Sequence, residues 1–181
     1  LRLRTISAHA PTAKDAVARD TFFQGLGKFI LHPHRVMLFI DANSRPISDV
    51  SSLPAGQNNS QIKHAAFQFQ QFLELHTLQT THEVPAFHKV VTGTWTSHST
   101  HSMHTIDYVV TKAQDISCVK HASTLPSIDN GHMLQDHLPS AATFVFQAGP
   151  DHNRPRCDRI RVNKQQILDP VNREAFSRAL Q

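Results

Sequence analysis

The apolar positions fall in short clusters whose spacing changes along the chain. Leu1-Arg2-Leu3-Arg4-Thr5-Ile6 alternates apolar and polar residues with the period of two that an extended strand requires. From Pro11-Thr12 the spacing lengthens. Phe22, Leu26, Phe29 and Ile30 form a stripe that predicts a helix, with Thr12 and Asp15 as its capping pair and Gly27 as a weak point. Val36-Met37-Leu38-Phe39-Ile40 is apolar on both parities, the pattern of a central strand covered on both faces. Strand, helix, strand predicts a crossover unit.

The stretch 44–60 is dense in Ser, Pro, Asn and Gly and reads as a surface loop. A second helix is expected over 61–75, where Ala65, Phe69, Phe72 and Leu73 share one face. Beyond it, four short runs are rich in β-branched or aromatic residues and read as strands: 90–95, 106–110, 116–119 and 142–146. The core is expected to end near Phe146. Residues 149–161, with two prolines and four arginines, read as a linker, and Asp169-Pro170 opens an expected terminal helix over 171–180.

Composition narrows the class. At 181 residues, with 39% apolar and 18% charged positions, the chain suits one domain with a substantial core and lacks the signature of disorder. Eighteen basic against fourteen acidic residues leave a formal charge of +4, to which fourteen histidines add in mild acid. This permits a nucleic-acid partner without requiring one. Cys118 and Cys157 have neither metal-ligand spacing nor the number for a disulfide framework, which favours a reducing compartment. No run approaches the roughly 18 apolar residues of a membrane span, and no signal peptide is visible. The expected location is intracellular, nuclear or cytoplasmic. Leu1 stands inside a strand already under way, so the sequence is expected to be a fragment.

Five polar groups sit at strand ends or in adjoining loops: His9, Asp41 with Asn43, the stretch Thr94 to Ser97, Asp107, and Asp136-His137. Asp41 and Asn43 are two apart, so in an extended segment their side chains point to the same side. Loops at one edge of a layered sheet gather such groups into a cleft. Carboxylates that bind Mg2+ beside a carboxylate-paired imidazole suit metal-assisted phosphodiester hydrolysis. Taken alone, Asp41 and Asn43 have an ordinary explanation as a turn after a strand. Asp107, inside an apolar strand, needs a partner. His98, His101 and His104 are spaced by three and suit Zn2+ if helical, but their Ser/Thr-rich surroundings favour a polar loop. Arg154, Arg156, Arg159 and Arg161 suit phosphate contacts or a solvated linker.

Taken in order, His9-Ala10-Pro11-Thr12, Ile40-Asp41-Ala42-Asn43, Thr94-Trp95, Thr105-Ile106-Asp107-Tyr108 and Gln135-Asp136-His137 resemble motifs of the endonuclease/exonuclease/phosphatase superfamily. The family forms are Tyr-x-Pro, Gly-Asp-Phe-Asn, Thr-Trp, Ile-Asp-Tyr and Ser-Asp-His. The resemblance implies a DNase I-like α/β sandwich over 1–147: two mixed β-sheets packed face to face with outer helices, the N-terminal strands missing. Further on, Asp158-Arg159, Leu168-Asp169-Pro170, Arg173-Glu174-Ala175-Phe176 and Leu180 resemble the segment that joins the endonuclease of non-LTR (LINE-like) retroelements to their reverse transcriptase. Residues 148–181 are then a linker and terminal helix leading toward a reverse transcriptase region.

By this resemblance, Asp41 orients or deprotonates the attacking water and Asn43 hydrogen-bonds the scissile phosphate. His137 contacts the same phosphate, oriented by Asp107. Asp136 binds or supports the metal, Mg2+ or alternatively Mn2+. His9 stands in the place of a phosphate-contacting Tyr, and Trp95 with Ser97 approaches the nucleic acid. Ile40, Ala42, Gln135 and His9 depart from the family's Gly, Phe, Ser and Tyr, but none removes a charged catalytic group. Family members begin with two strands that supply an Asn and a metal-binding Glu, which are expected upstream of Leu1. The implied activity is Mg2+-dependent DNA nicking by a retroelement endonuclease, with little or none from these residues alone. The alternatives are a phosphatase or a phospholipid or inositol phosphate phosphodiesterase of the same superfamily, or a noncatalytic nucleic-acid-binding remnant.

Overall fold

Strands β1 (Leu3–His9) and β2 (Arg35–Asp41) pair in parallel and are joined by helix α1 (Ala16–Ile30), the crossover that the change of period predicts. The computed structural model describes residues 3–30, 34–51, 53, 56–82, 84–87, 93–128 and 136–147. The expected linker, terminal helix and tail motifs lie outside the described residues. Helix α1 begins later than its pattern suggests, because a turn occupies the preceding residues and the Thr12 carbonyl accepts the Asp15 N–H. Asp15 is the capping side chain, its Oδ1 accepting the Ala18 N–H at 2.9 Å. The inward stripe runs through Arg19, Phe23, Leu26 and Ile30. Phe29 falls off this stripe and is 58% exposed.

Strands β3 (Leu78–Thr80) and β6 (Asp107–Lys112) complete a four-stranded sheet in the order β1-β2-β6-β3, with β6 antiparallel to both neighbours. Val36, Leu38 and Ile40 on one face of β2 are buried, whereas Met37 and Phe39 on the other are only half-buried. The difference follows from the helices, which seal a single face. Helix α3 (Gln57–Leu75) starts earlier than expected, and a short helix, α2 (Ile47–Val50), breaks the stretch read as loop. Phe23 of α1 meets Phe72 and Phe69 of α3 at ring separations of 4.9 and 6.0 Å, and Phe69 meets Tyr108 of the sheet at 5.0 Å. These rings tie both helices to the sheet within one buried apolar cluster.

Strands β4 (Trp95–Thr96) and β5 (Met103–His104) form a small hairpin. A Cβ on Gly93 would lie 2.8 Å from the His104 backbone nitrogen, so the base of the hairpin closes only around glycine. Residues 90–92 of that expected strand lie outside the described residues. The expected strand at 116–119 is instead mostly a 3₁₀ turn, Ala113–Cys118. Asp115 is drawn inside by Arg35 at 2.7 Å, which bends the chain before β7 (Val119–Thr124) begins. Strand β7 pairs antiparallel with β8 (Ser140–Phe144), the observed form of the last expected strand. Among the described residues no helix is long and apolar enough to cross a membrane.

Phe72→Ala is expected to cost about 3–5 kcal/mol in urea unfolding, as a cavity between the helices. Phe29→Ala should change stability by no more than about 0.5 kcal/mol. Equal losses would contradict the assigned inward face of α1.

Candidate active site

The ends of three strands lie in one row. His9 of β1 is in register with Asp41 of β2, and Asp41 is in register with Asp107 of β6. The His9 Nε2 lies 3.2 Å from Asp41 Oδ2, its ring 72% exposed at the rim. After Asp41 the chain turns through Asn43, whose φ of 45° is a left-handed conformation that Asn tolerates. This turn puts the Asn43 N–H on Asp41 Oδ1 at 2.8 Å and lets the Asn43 amide donate to the Ala10 carbonyl at 2.8 Å. The bland turn and the chemical reading of Asp41 and Asn43 are thus the same structure: the turn fixes the carboxylate.

Thr94, fully buried, sets the other wall. Its Oγ1 accepts the N–H groups of Ile106 and Asp107, both at 3.0 Å, and its carbonyl accepts the Leu138 N–H at 2.7 Å. Trp95 bridges to His137, and Thr96 donates to the Asp136 carbonyl at 2.8 Å. The Thr94-Trp95 stretch thereby holds the start of β6 against residues 136–138. That placement brings His137 Nδ1 to 3.1 Å from Asp107 Oδ2. Burial pushes the Asp107 carboxyl above its ordinary value, and the neighbouring Asp41 charge adds to the rise; the Thr94 hydroxyl and His137 oppose it.

Asp41, Asp107 and His137 each offer a ligand atom within 4.8 Å of the others, the one group among the described residues able to hold a metal ion. Asp136 is not part of it. The Asp136 Oδ2 is 3.0 Å from His98 Nε2, a pairing absent from the sequence reading. Burial pushes the Asp136 carboxyl up, but the His98 hydrogen bond, a backbone N–H and the charges of His137 and His98 outweigh it and hold the group below its ordinary value. The three histidines of the hairpin do not gather. His98 meets Asp136, His104 Nε2 meets Ser102 Oγ at 2.8 Å, and His101 is exposed at the tip. Ser97 is buried with its hydroxyl 3.2 Å from Ser99, so it closes the hairpin tip, while Trp95 lines a cleft of about 260 Å³ with Asn43, Arg45 and His137.

Arg19 is the residue that sequence reasoning missed. Its fully buried guanidinium donates to Gln68 Oε1 at 3.1 Å and to the carbonyls of Pro11, Ala42 and Ala65 at 2.7, 2.9 and 3.2 Å. Pro11 and Ala42 belong to the two loops that follow His9 and Asp41, the second of which carries Asn43. The available signal was an Arg on the same helical stripe as Phe23, Leu26 and Ile30.

The folded pKa of Asp107 lies above its unfolded value, so the native state disfavours the carboxylate. The resulting destabilisation is complete above the folded pKa and is relieved as pH falls through it toward about 3.9, the unfolded value. Asp107→Asn removes the charge and keeps an acceptor for His137. It should be more stable than wild type in urea unfolding at neutral pH, with the difference shrinking on acidification. A difference that grows in acid would contradict the stated environment.

No protein-family model matches the sequence, and no curated protein matches it. Among solved structures, the chain is similar to the 3′-5′ exonuclease NExo from Neisseria meningitidis, with a TM-score of 0.52, 16% identity, and coverage of 71% of this chain and 54% of that one. It is also similar to a variant of the 3′ phosphatase NExo from Neisseria bound to product DNA hairpin, with a TM-score of 0.53, 16% identity, and coverage of 71% and 53%. The AP endonuclease LMAP from Leishmania major follows at a TM-score of 0.49 and 14% identity, covering 69% of this chain and 41% of that one. The chain thus spans about half the length of the first two structures. At these identities the likeness is one of architecture, and the architecture is the DNase I-like α/β fold.

Proposed function

We propose that the chain forms the phosphate-binding side of a divalent-metal-dependent phosphodiesterase that acts on DNA. The observation that carries this reading is the Asp41, Asp107 and His137 cluster, in which two carboxylates from neighbouring strands meet an imidazole already hydrogen-bonded to one of them. The donor set fits a hard cation: Asp41 and Asp107 would hold Mg2+ or Mn2+ through oxygen, while His137 is committed to Asp107. A bound ion would supply Lewis-acid polarisation of the phosphate.

The chain's own residues do the rest. Asp41, fixed by the Asn43 N–H, orients the attacking water and takes its proton. With Nδ1 donating to Asp107, which fixes the orientation of the ring, the opposite ring nitrogen of His137 is the one left to meet a phosphoryl oxygen, and it would do so as an N–H donor. Asn43, lining the same cleft, hydrogen-bonds the phosphate. Asp136, paired with His98 and outside the Asp41, Asp107 and His137 group, would act on the cation only indirectly, from beside His137. His9 and Trp95 flank the strand at the rim and in the cleft, and Ser97 shapes the hairpin beside it. The formal charge of +4 and a structural neighbour bound to a DNA hairpin support a nucleic-acid substrate. The tail motifs within 158–180 support the narrower reading of a non-LTR retroelement endonuclease that precedes a reverse transcriptase region.

Supplied with the upstream strands that the family resemblance implies, the protein is expected to nick supercoiled plasmid in Mg2+ and to stop in EDTA. Asp41→Ala and His137→Ala should each lower the rate by about 10²–10⁴-fold. Undiminished nicking by either variant would overturn the assignment, and turnover of inositol phosphates in place of plasmid would move it to another branch of the fold.

A further inference from the structure

We propose that Arg45 binds a second phosphate of the DNA strand, next to the phosphate held at Asn43 and His137; the proposal rests on the phosphodiesterase reading. The cleft of about 260 Å³ begins where the metal-capable cluster ends, since His137 belongs to both and Asn43 joins them through Asp41. Its described lining is mostly apolar, with Ala13, Ile62, Ala65, Ile106 and Trp95, and Arg45 is its only arginine or lysine. A cation lining the same mostly apolar cleft as Asn43 and His137 matches a segment bounded by two phosphates.

The state of Arg45 itself points the same way. Burial pulls its guanidinium below the ordinary value, and the Asp49 charge opposes this only in part. Among the described residues no carboxylate reaches ion-pair distance of Arg45, and none accepts a hydrogen bond from its side chain. A half-buried guanidinium with no carboxylate at ion-pair distance is open to an external anion, and its planar fork matches phosphate oxygens. Its backbone is fixed: the preceding Ser44 is buried, and the Ser44 carbonyl accepts the Tyr108 hydroxyl at 2.8 Å. Nearby His104 is pulled down by burial and by the Arg45 charge, which disfavours a second cation beside Arg45. A lone phosphate fills only the position at Asn43 and His137. A polynucleotide fills both positions, so Arg45 selects a strand over a phosphomonoester.

The test is binding of a short DNA duplex to the 181-residue chain by fluorescence anisotropy across a salt series, with EDTA present so that binding is read without cleavage. Arg45→Gln should weaken binding about tenfold and make the slope of log affinity against log salt shallower by about one. Arg45→Lys should keep the slope and fall between the two in affinity. Inorganic phosphate, followed by the His137 ring resonances, should bind wild type and both variants alike. Unchanged duplex affinity and slope in Arg45→Gln would overturn the second phosphate site and leave the phosphodiesterase reading standing. An Arg45→Lys slope as shallow as that of Arg45→Gln would also overturn it, because charge would then not be what Arg45 contributes. A wild-type chain that binds neither duplex nor phosphate would overturn both.

Discussion

Arg19 has no exposed surface and no carboxylate within ion-pair distance among the described residues, yet its N–H groups reach Pro11, Ala42, Ala65 and Gln68. Burying an ion costs several kcal/mol unless its donors are satisfied. Here four hydrogen bonds offset that cost, and the charges of Asp20 and Asp41 favour the cationic form against the pull of burial. The consequence is geometric. The loops after β1 and β2 are held to α1 and α3 by one rigid fork, which anchors from behind the strand ends that carry His9 and Asp41. It is also electrostatic, because a positive charge behind these loops favours an anion in front of them.

The opposite wall is organised by an uncharged residue. Thr94 uses one hydroxyl and its backbone to set the start of β6 and the 136–138 segment, which delivers Asp107 and His137 together. Two carboxylates in one row, with one pushed above its ordinary value by burial, are not an arrangement that stability alone favours. It makes sense as a site that a cation completes, at some expense to stability.

The crossover unit and the inward face of α3 were legible in the sequence because their apolar periods are long and local. The site motifs were legible for a related reason, since their residues sit at strand ends in chain order. What could not be read was decided by distant partners. Phe23 displaced Phe29 because the stripe is set by what α3 presents, and the 116–119 run became a turn because Arg35 draws Asp115 inward. The His98–Asp136 pair joins residues 38 positions apart and the Arg19 fork reaches Gln68, 49 positions away, beyond any local pattern.

The proposed chemistry requires that Asp41 and Asp107 hold a cation beside His137. Titration of Mn2+ into the isotopically labelled chain, followed by paramagnetic broadening of its amide resonances, measures this directly. Broadening should centre on 41–43, 107 and 137 and should vanish in Asp41→Ala. Broadening centred on the hairpin tip around His101, or none at any residue, would contradict it.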